Sequence, residues 1–213
     1  MPSRLRASAF VVALLSASPA MAVTYDSVDF FRAVNVDNAD AVARMLAAGL
    51  DPNQLDPRGQ PALIVALQGE SLKVAKVLWD AKGIDIDIRN HAGETPLMMA
   101  ALKAEVDAAG ALVARGAAVQ KDGWSPLHYA ATGGSAAIVK LLLSKGAPLE
   151  ARSPNGSTPL MMAARYGHEQ SADLLLAKQA DTEVRNQRGL SAADFARGAG
   201  REALAKRLES RLR

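Results

Sequence analysis

The heptapeptide TPLMMAA stands twice in this chain, at Thr95–Ala101 and at Thr158–Ala164, 63 positions apart, and a variant, SPLHYAA, lies between them at Ser125–Ala131. Recurrence at a fixed spacing constrains the fold more than any other property of the sequence, because a period of about 20 to 50 residues marks stacked units rather than one globular core. The glycines preceding the motif provide a ruler: Gly59, Gly93, Gly123, Gly156 and Gly189 are separated by 34, 30, 33 and 33 residues. The period is about 33 residues, with one residue gained in one unit and three lost in another.

The chemistry of each copy reads as a helix start. Thr95, Ser125 and Thr158 are hydroxyl N-caps, and Pro96, Pro126 and Pro159 follow at the first helical position, where no backbone donor is needed. The alanine pairs Ala100–Ala101, Ala130–Ala131 and Ala163–Ala164 allow close approach of neighbouring helices. A second helix follows with apolar spacing, as at Ile138, Leu141 and Leu142, and a glycine such as Gly116 or Gly146 ends it in the left-handed conformation. Eight residues separate Ala180 from Gly189, but only five separate Ala117 from Gly123. The three missing residues therefore belong to the loop before Gly123, which is expected to be stunted. The extra residue of the 34-residue step falls within Asp80–Ile86, where a second helix ends.

A 33-residue unit opening on T-P-L-x-x-A resembles the ankyrin repeat, and the resemblance extends over nearly all of the chain after residue 22. It implies an all-α repeat solenoid, an ankyrin-like stack of six helix pairs with projecting β-turn fingers. The units are expected at 27–58 (N-terminal cap), 59–92, 93–122, 123–155, 156–188 and 189–213 (C-terminal cap). The unit from Gly59 departs from the pattern, since QPALIVAL has no hydroxyl cap, and in the last unit Ser191 is the cap but Ala192 replaces proline. The resemblance also implies that His128, at the histidine of the motif, and His168 bond between units, whereas Met98 and Met161 at the same place as His128 offer only soft apolar contact. His91 has no role in the pattern. In the family, residues just outside the T-P-L segment touch partners on a concave face. Carried over, these are Glu94, Leu102 and Lys103, then Trp124 and Thr132, then Ser157, Arg165 and Tyr166. Two readings of Trp124 stand: a binding hot spot beside a notch left by the stunted finger, or a side chain folded over that finger to fill space.

The first 22 residues read as a secretory leader. Arg4 and Arg6 precede an apolar run, ASAFVVALLSA, and Ala20–Ala22 is a small-residue cleavage pattern. The run is shorter than the roughly 20 residues a membrane-spanning helix needs. With no cysteine in the chain, disulfides, thiolate metal sites and a lipid-modified cysteine are excluded. A bacterial periplasmic protein is expected, without stable membrane insertion after cleavage; secretion beyond the outer membrane is the alternative. The charge is uneven: residues 185–213 hold eight Lys or Arg against three Asp or Glu, for +5, while 23–184 hold 15 against 19, for −4. The basic end either contacts an anionic partner or forms the polar face of a capping helix with Leu204, Leu208 and Leu212 inside.

No catalytic constellation emerges, so no catalytic, metal or cofactor-binding residue is assigned. The three histidines lie in separate units, Thr132–Ser135 lacks the lysine of a phosphate loop, and Asp85 and Asp87, alternating with isoleucines, read as an extended finger with its acids in water. The expected function is a monomeric, non-catalytic scaffold that binds a partner protein and no nucleic acid. The alternatives are a binder of a small molecule or envelope polymer, and a secreted effector acting on a host protein. If the leader is cleaved after Ala22, the exported chain begins at Val23. Intact-mass spectrometry of the exported protein checks this, and a product that retains the apolar run and fractionates with membranes would contradict it.

Overall fold

The computed structural model describes residues 26–166 and 168–210. The leader, Val23 and Leu212 lie outside them. Among the described residues twelve helices alternate with loops: α1 (Ser27–Asn35), α2 (Ala39–Ala47), α3 (Ala62–Gln68), α4 (Leu72–Trp79), α5 (Pro96–Leu102), α6 (Val106–Ala114), α7 (Pro126–Gly133), α8 (Ala136–Ser144), α9 (Pro159–Tyr166), α10 (Glu169–Ala177), α11 (Ala192–Gly198) and α12 (Glu202–Glu209). Each expected unit holds one antiparallel pair. The odd-numbered helices pack side by side in one row and α2 to α10 in a second, so that contacts run from unit to unit and within each pair. Helices this short do not persist alone in water. Their stability comes from the layer between the rows, where Leu63, Leu97, Leu127 and Leu160 of the first helices meet Leu78, Leu112, Leu142 and Leu175 of the second, all buried. Each such leucine contributes about 2 kcal/mol by its burial.

The helix starts follow the chemistry of the sequence. Thr95 Oγ1 accepts from the Met98 N–H at 3.3 Å and Thr158 Oγ1 from the Met161 N–H at 3.3 Å. α3, entered through Pro61, has no side-chain cap. His128 is fully buried and joins two units: its Nδ1 accepts from the Ser125 N–H at 3.2 Å and contacts Ser125 Oγ at 2.8 Å, while Nε2 donates to the Ser157 carbonyl at 2.9 Å. A carbonyl only accepts, so the neutral ring carries its proton on Nε2. Methionine at the same position keeps more than apolar contact, because the Thr158 N–H donates to Met161 Sδ at 3.4 Å. His91, silent in the sequence, lies against Gly59 of the preceding finger tip, where a Cβ would come within 2.0 Å of its Nε2.

The fingers contain tight turns and, among the described residues, no strand beyond an isolated bridge between Leu55 and Pro61. Four tips share one construction. At Asp56, Asn90, Ser153 and Asn186, each three residues before the glycine, the backbone N–H donates four residues ahead and the carbonyl accepts from the glycine N–H, at 2.7–3.1 Å. The side-chain oxygen of the same residue accepts from the N–H groups of the turn it closes. Gln120 holds this position in the stunted finger, and there the pair of backbone bonds is absent. Its side chain leaves the loop to donate to the Gly146 carbonyl at 3.0 Å, and Lys121 Nζ instead donates to the carbonyls of Asp122 and Trp124 at 3.3 and 3.4 Å. The extra residue of the long step lies after α4, where twelve positions rather than eleven separate the N-cap Ser71 from Gly83.

One expectation for the fingers is corrected. The segment Ile84–Ile88 is not extended but turns at Ile86–Asp87. Asp87 is not left in water, since its carboxylate accepts from the Ala118 N–H of the next finger at 2.9 and 3.2 Å. Asn53 and Glu150 make the equivalent link, accepting from the N–H of Asp85 at 2.8 Å and of Asp181 at 2.9 Å. Alternation hid this role because an acid that caps a neighbour's backbone and an acid in water have the same local pattern.

Two loop positions make opposite demands. Ala104 joins α5 to α6 at φ 58° and is exposed, in the left-handed region where glycine stands at the corresponding Gly134. Gly133 closes α7 onto the end of α5, where a Cβ would lie 2.4 Å from the Leu102 carbonyl and 2.5 Å from that of Ala101. Ala104→Gly is therefore expected to raise stability by about 0.5–1 kcal/mol, and Gly133→Ala to lower it by about 1–3 kcal/mol through overpacking. Urea midpoints of the two variants check both signs.

Burial holds the His128 pKa below its ordinary value, against the opposing effect of its bond to the Ser157 carbonyl. The unfolded chain then takes up the proton first, at about pH 6.5, so stability is level above that pH and falls as the pH drops toward the depressed folded value. His128→Met, copying Met98 and Met161, should be less stable at neutral pH but lose this part of the acid slope. Melting temperatures of both proteins between pH 8 and pH 5 measure it, and an unchanged slope in the variant would contradict the assignment.

Candidate protein-binding cleft

The row of first helices and the bases of the fingers form a continuous face. On it, a cleft of about 230 Å³ is lined by Glu94 and Leu102 of one unit, Trp124, Tyr129 and Thr132 of the next, and Met162 and Tyr166 of a third. Glu94 sits one residue beyond the finger glycine Gly93 and closes the turn held by Asn90, and both its carboxylate oxygens are engaged: Oε1 accepts from the Tyr129 hydroxyl at 2.7 Å and Oε2 from Asn90 Nδ2 at 2.7 Å. Burial, with the Glu94 carboxylate beside it, pushes the Tyr129 pKa well above the ordinary phenol value. The phenol therefore stays protonated and donating. Trp124 is half-buried, its ring edge-on to His128 at 5.4 Å between centroids. Leu102 and Tyr166 remain 37% and 47% exposed, which leaves an apolar and an aromatic surface facing solvent on opposite sides.

Tyr166 is also the wall of a second cleft, of about 340 Å³, shared with Arg165, Arg188, Leu190, Asp194, Phe195, Gly198 and Ala199. The Arg165 guanidinium lies over the rings of Tyr166 and Phe195, at 5.9 and 6.0 Å from their centroids. Asp194 closes the capping box of α11, accepting from the Ser191 N–H and hydroxyl at 2.8 Å each. Those bonds, and then the charges of Arg185 and Arg197, hold its carboxyl below the usual range.

Five of the eight residues expected on the binding face converge on the first cleft: Glu94, Leu102, Trp124, Thr132 and Tyr166. Arg165 belongs to the second. Lys103 lines neither cleft and pairs with Glu70 of the preceding unit at 2.9 Å. Ser157 is a correction. It is fully buried, its carbonyl taken by His128 and its hydroxyl by Asn186 Nδ2 at 3.2 Å, so it joins units and is not available to a partner. The residue one place beyond a finger glycine turns outward as Glu94 but inward as Ser157, a difference of side-chain length and bonding.

Tyr129, Met162 and Phe195 occupy the fifth position of the heptapeptide, inside a segment that reads as core; Met162 is core as well as cleft lining, whereas Tyr129 and Phe195 are only partly buried. The usable signal was helical phase. Tyr129 and Thr132, or Met162 and Tyr166, are three or four residues apart and share a helix face. The basic end is neutralised in part. Arg197 pairs with Asp194, Glu202 and Glu209, Arg207 with Glu169 and Asp173, and Leu204 and Leu208 are buried beneath them. Among the described residues no three of His, Cys, Asp and Glu gather as metal ligands, and no helix is long and apolar enough to cross a membrane.

The family model described as "Ankyrin repeats (3 copies)" matches residues 30–121 and 112–186. The B-cell lymphoma 3 protein homolog of Mus musculus is 34% identical over 125 residues, 55% of this chain and 28% of that protein. Zygote-specific protein 3 of Chlamydomonas reinhardtii is 36% identical over 97 residues, 45% of this chain and 26% of its own length. The chain thus spans less than a third of either relative. The crystal structure of the ankyrin repeat domain of Bcl-3 superposes with a TM-score of 0.67 at 28% identity, over 84% of this chain and 81% of that one.

Proposed function

Because the chain belongs to the ankyrin repeat family, whose repeats generally mediate protein–protein interaction, we propose that it is a non-catalytic scaffold that binds a partner protein across the first helices of its central units. The observation that carries this reading is the cleft spanning three units, with Leu102 and Tyr166 exposed on its sides and Trp124 half-buried in its wall. Aromatic residues in preformed, partly desolvated settings dominate protein interfaces. A small polar ligand is disfavoured, because such sites need convergent free polar groups and those of Glu94 and Tyr129 are already bonded to each other and to Asn90.

The scaffold works in the bacterial periplasm as a monomer, on the reading of residues 1–22 as a cleaved leader. Cross-linked capture from the native periplasm identifies the partner, and titration of that partner against variants tests the face. Tyr166→Ala should weaken association by about 2 kcal/mol while shifting stability by no more than about 0.5 kcal/mol. Trp124→Ala should lower both, because its ring packs on His128. A partner that binds both variants with undiminished affinity per folded molecule would overturn the assignment of this face.

A further inference from the structure

The second cleft holds two cations that the fold does not neutralise. Among the described residues neither Arg165 nor Arg188 pairs with a carboxylate, although Arg185, Arg197 and Arg207 around them all do. Each is placed at the cleft by a neighbouring element, Arg165 through its side chain and Arg188 through its backbone. Arg165 rests over Tyr166 and Phe195. Arg188 rides on the tip turn that Asn186 closes by accepting from the Arg188 and Leu190 N–H groups at 2.9 and 3.1 Å. Asp194, the one acid among the lining residues, is already engaged by Ser191, Arg185 and Arg197. The cleft thus presents a net positive, planar-donor surface beside an aromatic wall, and guanidinium groups so placed favour a carboxylate.

Resting on the reading of this face as a protein-binding surface, we infer that the partner engages it through a segment in which an Asp or Glu side chain enters the Arg165–Arg188 cleft while a bulky apolar side chain a few residues away enters the cleft of Trp124, Tyr129 and Tyr166. Tyr166 lines both clefts, so the two anchors lie on either side of one ring. A nucleic acid would also meet cations and aromatic faces. It is disfavoured because Glu94 stands in the adjoining cleft and the −4 of residues 23–184 offsets the +5 of residues 185–213, so that the chain after residue 22 carries only +1 toward a phosphate backbone.

Selection of a random peptide display library on the purified chain tests this without the partner in hand. The selected peptides should be enriched in Asp or Glu close to a large apolar residue. For a synthetic peptide of the enriched sequence, Arg165→Ala with Arg188→Ala should lower affinity by about tenfold or more. Replacing the peptide's acid by its amide should cost the same in the wild-type chain and nothing further in the double variant. Peptides that bind in a Tyr166-dependent way without acid enrichment, or that bind the double variant equally well, overturn the inference and leave the protein-binding face standing. Selection of no peptide sensitive to Tyr166→Ala defeats both. Tight binding of a fluorescein-labelled single-stranded oligonucleotide, lost in the double arginine variant, would reassign the cleft to phosphate and overturn the inference.

Discussion

No described helix in this protein exceeds nine residues, and helices of that length are marginal on their own. Everything else depends on how one unit covers the next. The leucine layer supplies the bulk of the stabilisation, but it is non-directional. Register between units is set by polar and steric details. His128 reaches the Ser157 carbonyl, Asn186 reaches the Ser157 hydroxyl, and Gly133 lets the backbone of α7 approach that of α5. Such contacts make the stack a chain of nearest-neighbour couplings, in which the loss of one interface is felt mainly by the two units beside it.

The fingers have their own version of the same arrangement. A short polar side chain three residues before each glycine closes the turn, and a second polar side chain, Asn53, Asp87 or Glu150, accepts from the backbone of the following finger. Where glutamine replaces the turn-closing residue and three residues are missing, the closing bonds are lost and Lys121 takes over the Trp124 carbonyl. Trp124 therefore enters its unit from a loop built unlike the other four. Its ring packs on His128 and still forms part of the cleft wall. The two readings of this residue, as filler and as binding surface, describe two faces of one side chain. Stability and recognition are coupled there, whereas at exposed Tyr166 they are separable.

Charge is distributed with similar economy at the last unit. Three of the six described cations of the basic C-terminal region, Arg185, Arg197 and Arg207, are balanced by carboxylates of α10, α11 and α12, which makes that side of the last unit a capping surface. Arg165 and Arg188 stand apart from those pairings, and both line the cleft beside Tyr166. Exposed paired charges contribute little to stability, while unpaired cations beside an aromatic wall are available to a partner.

The sequence by itself determined the period, the six helix pairs, the hydroxyl and proline helix starts, the missing cap before α3 and the places where residues were gained or lost. These are local properties, set by caps, turns and helical spacing within about ten residues, and local physics is written in local sequence. The family resemblance it carries also pointed to five of the seven residues of the first cleft. The tertiary structure alone decided that Ser157 faces inward, that Asp87 caps the next finger, that Lys103 is drawn to Glu70, and that Tyr129 and Phe195 emerge from an apparently buried motif while buried Met162 floors the first cleft. Each of these depends on which side chain of a neighbouring unit, about 30 residues away, stands opposite. That is settled by the translation and rotation between stacked units, a quantity no stretch of sequence within one unit contains.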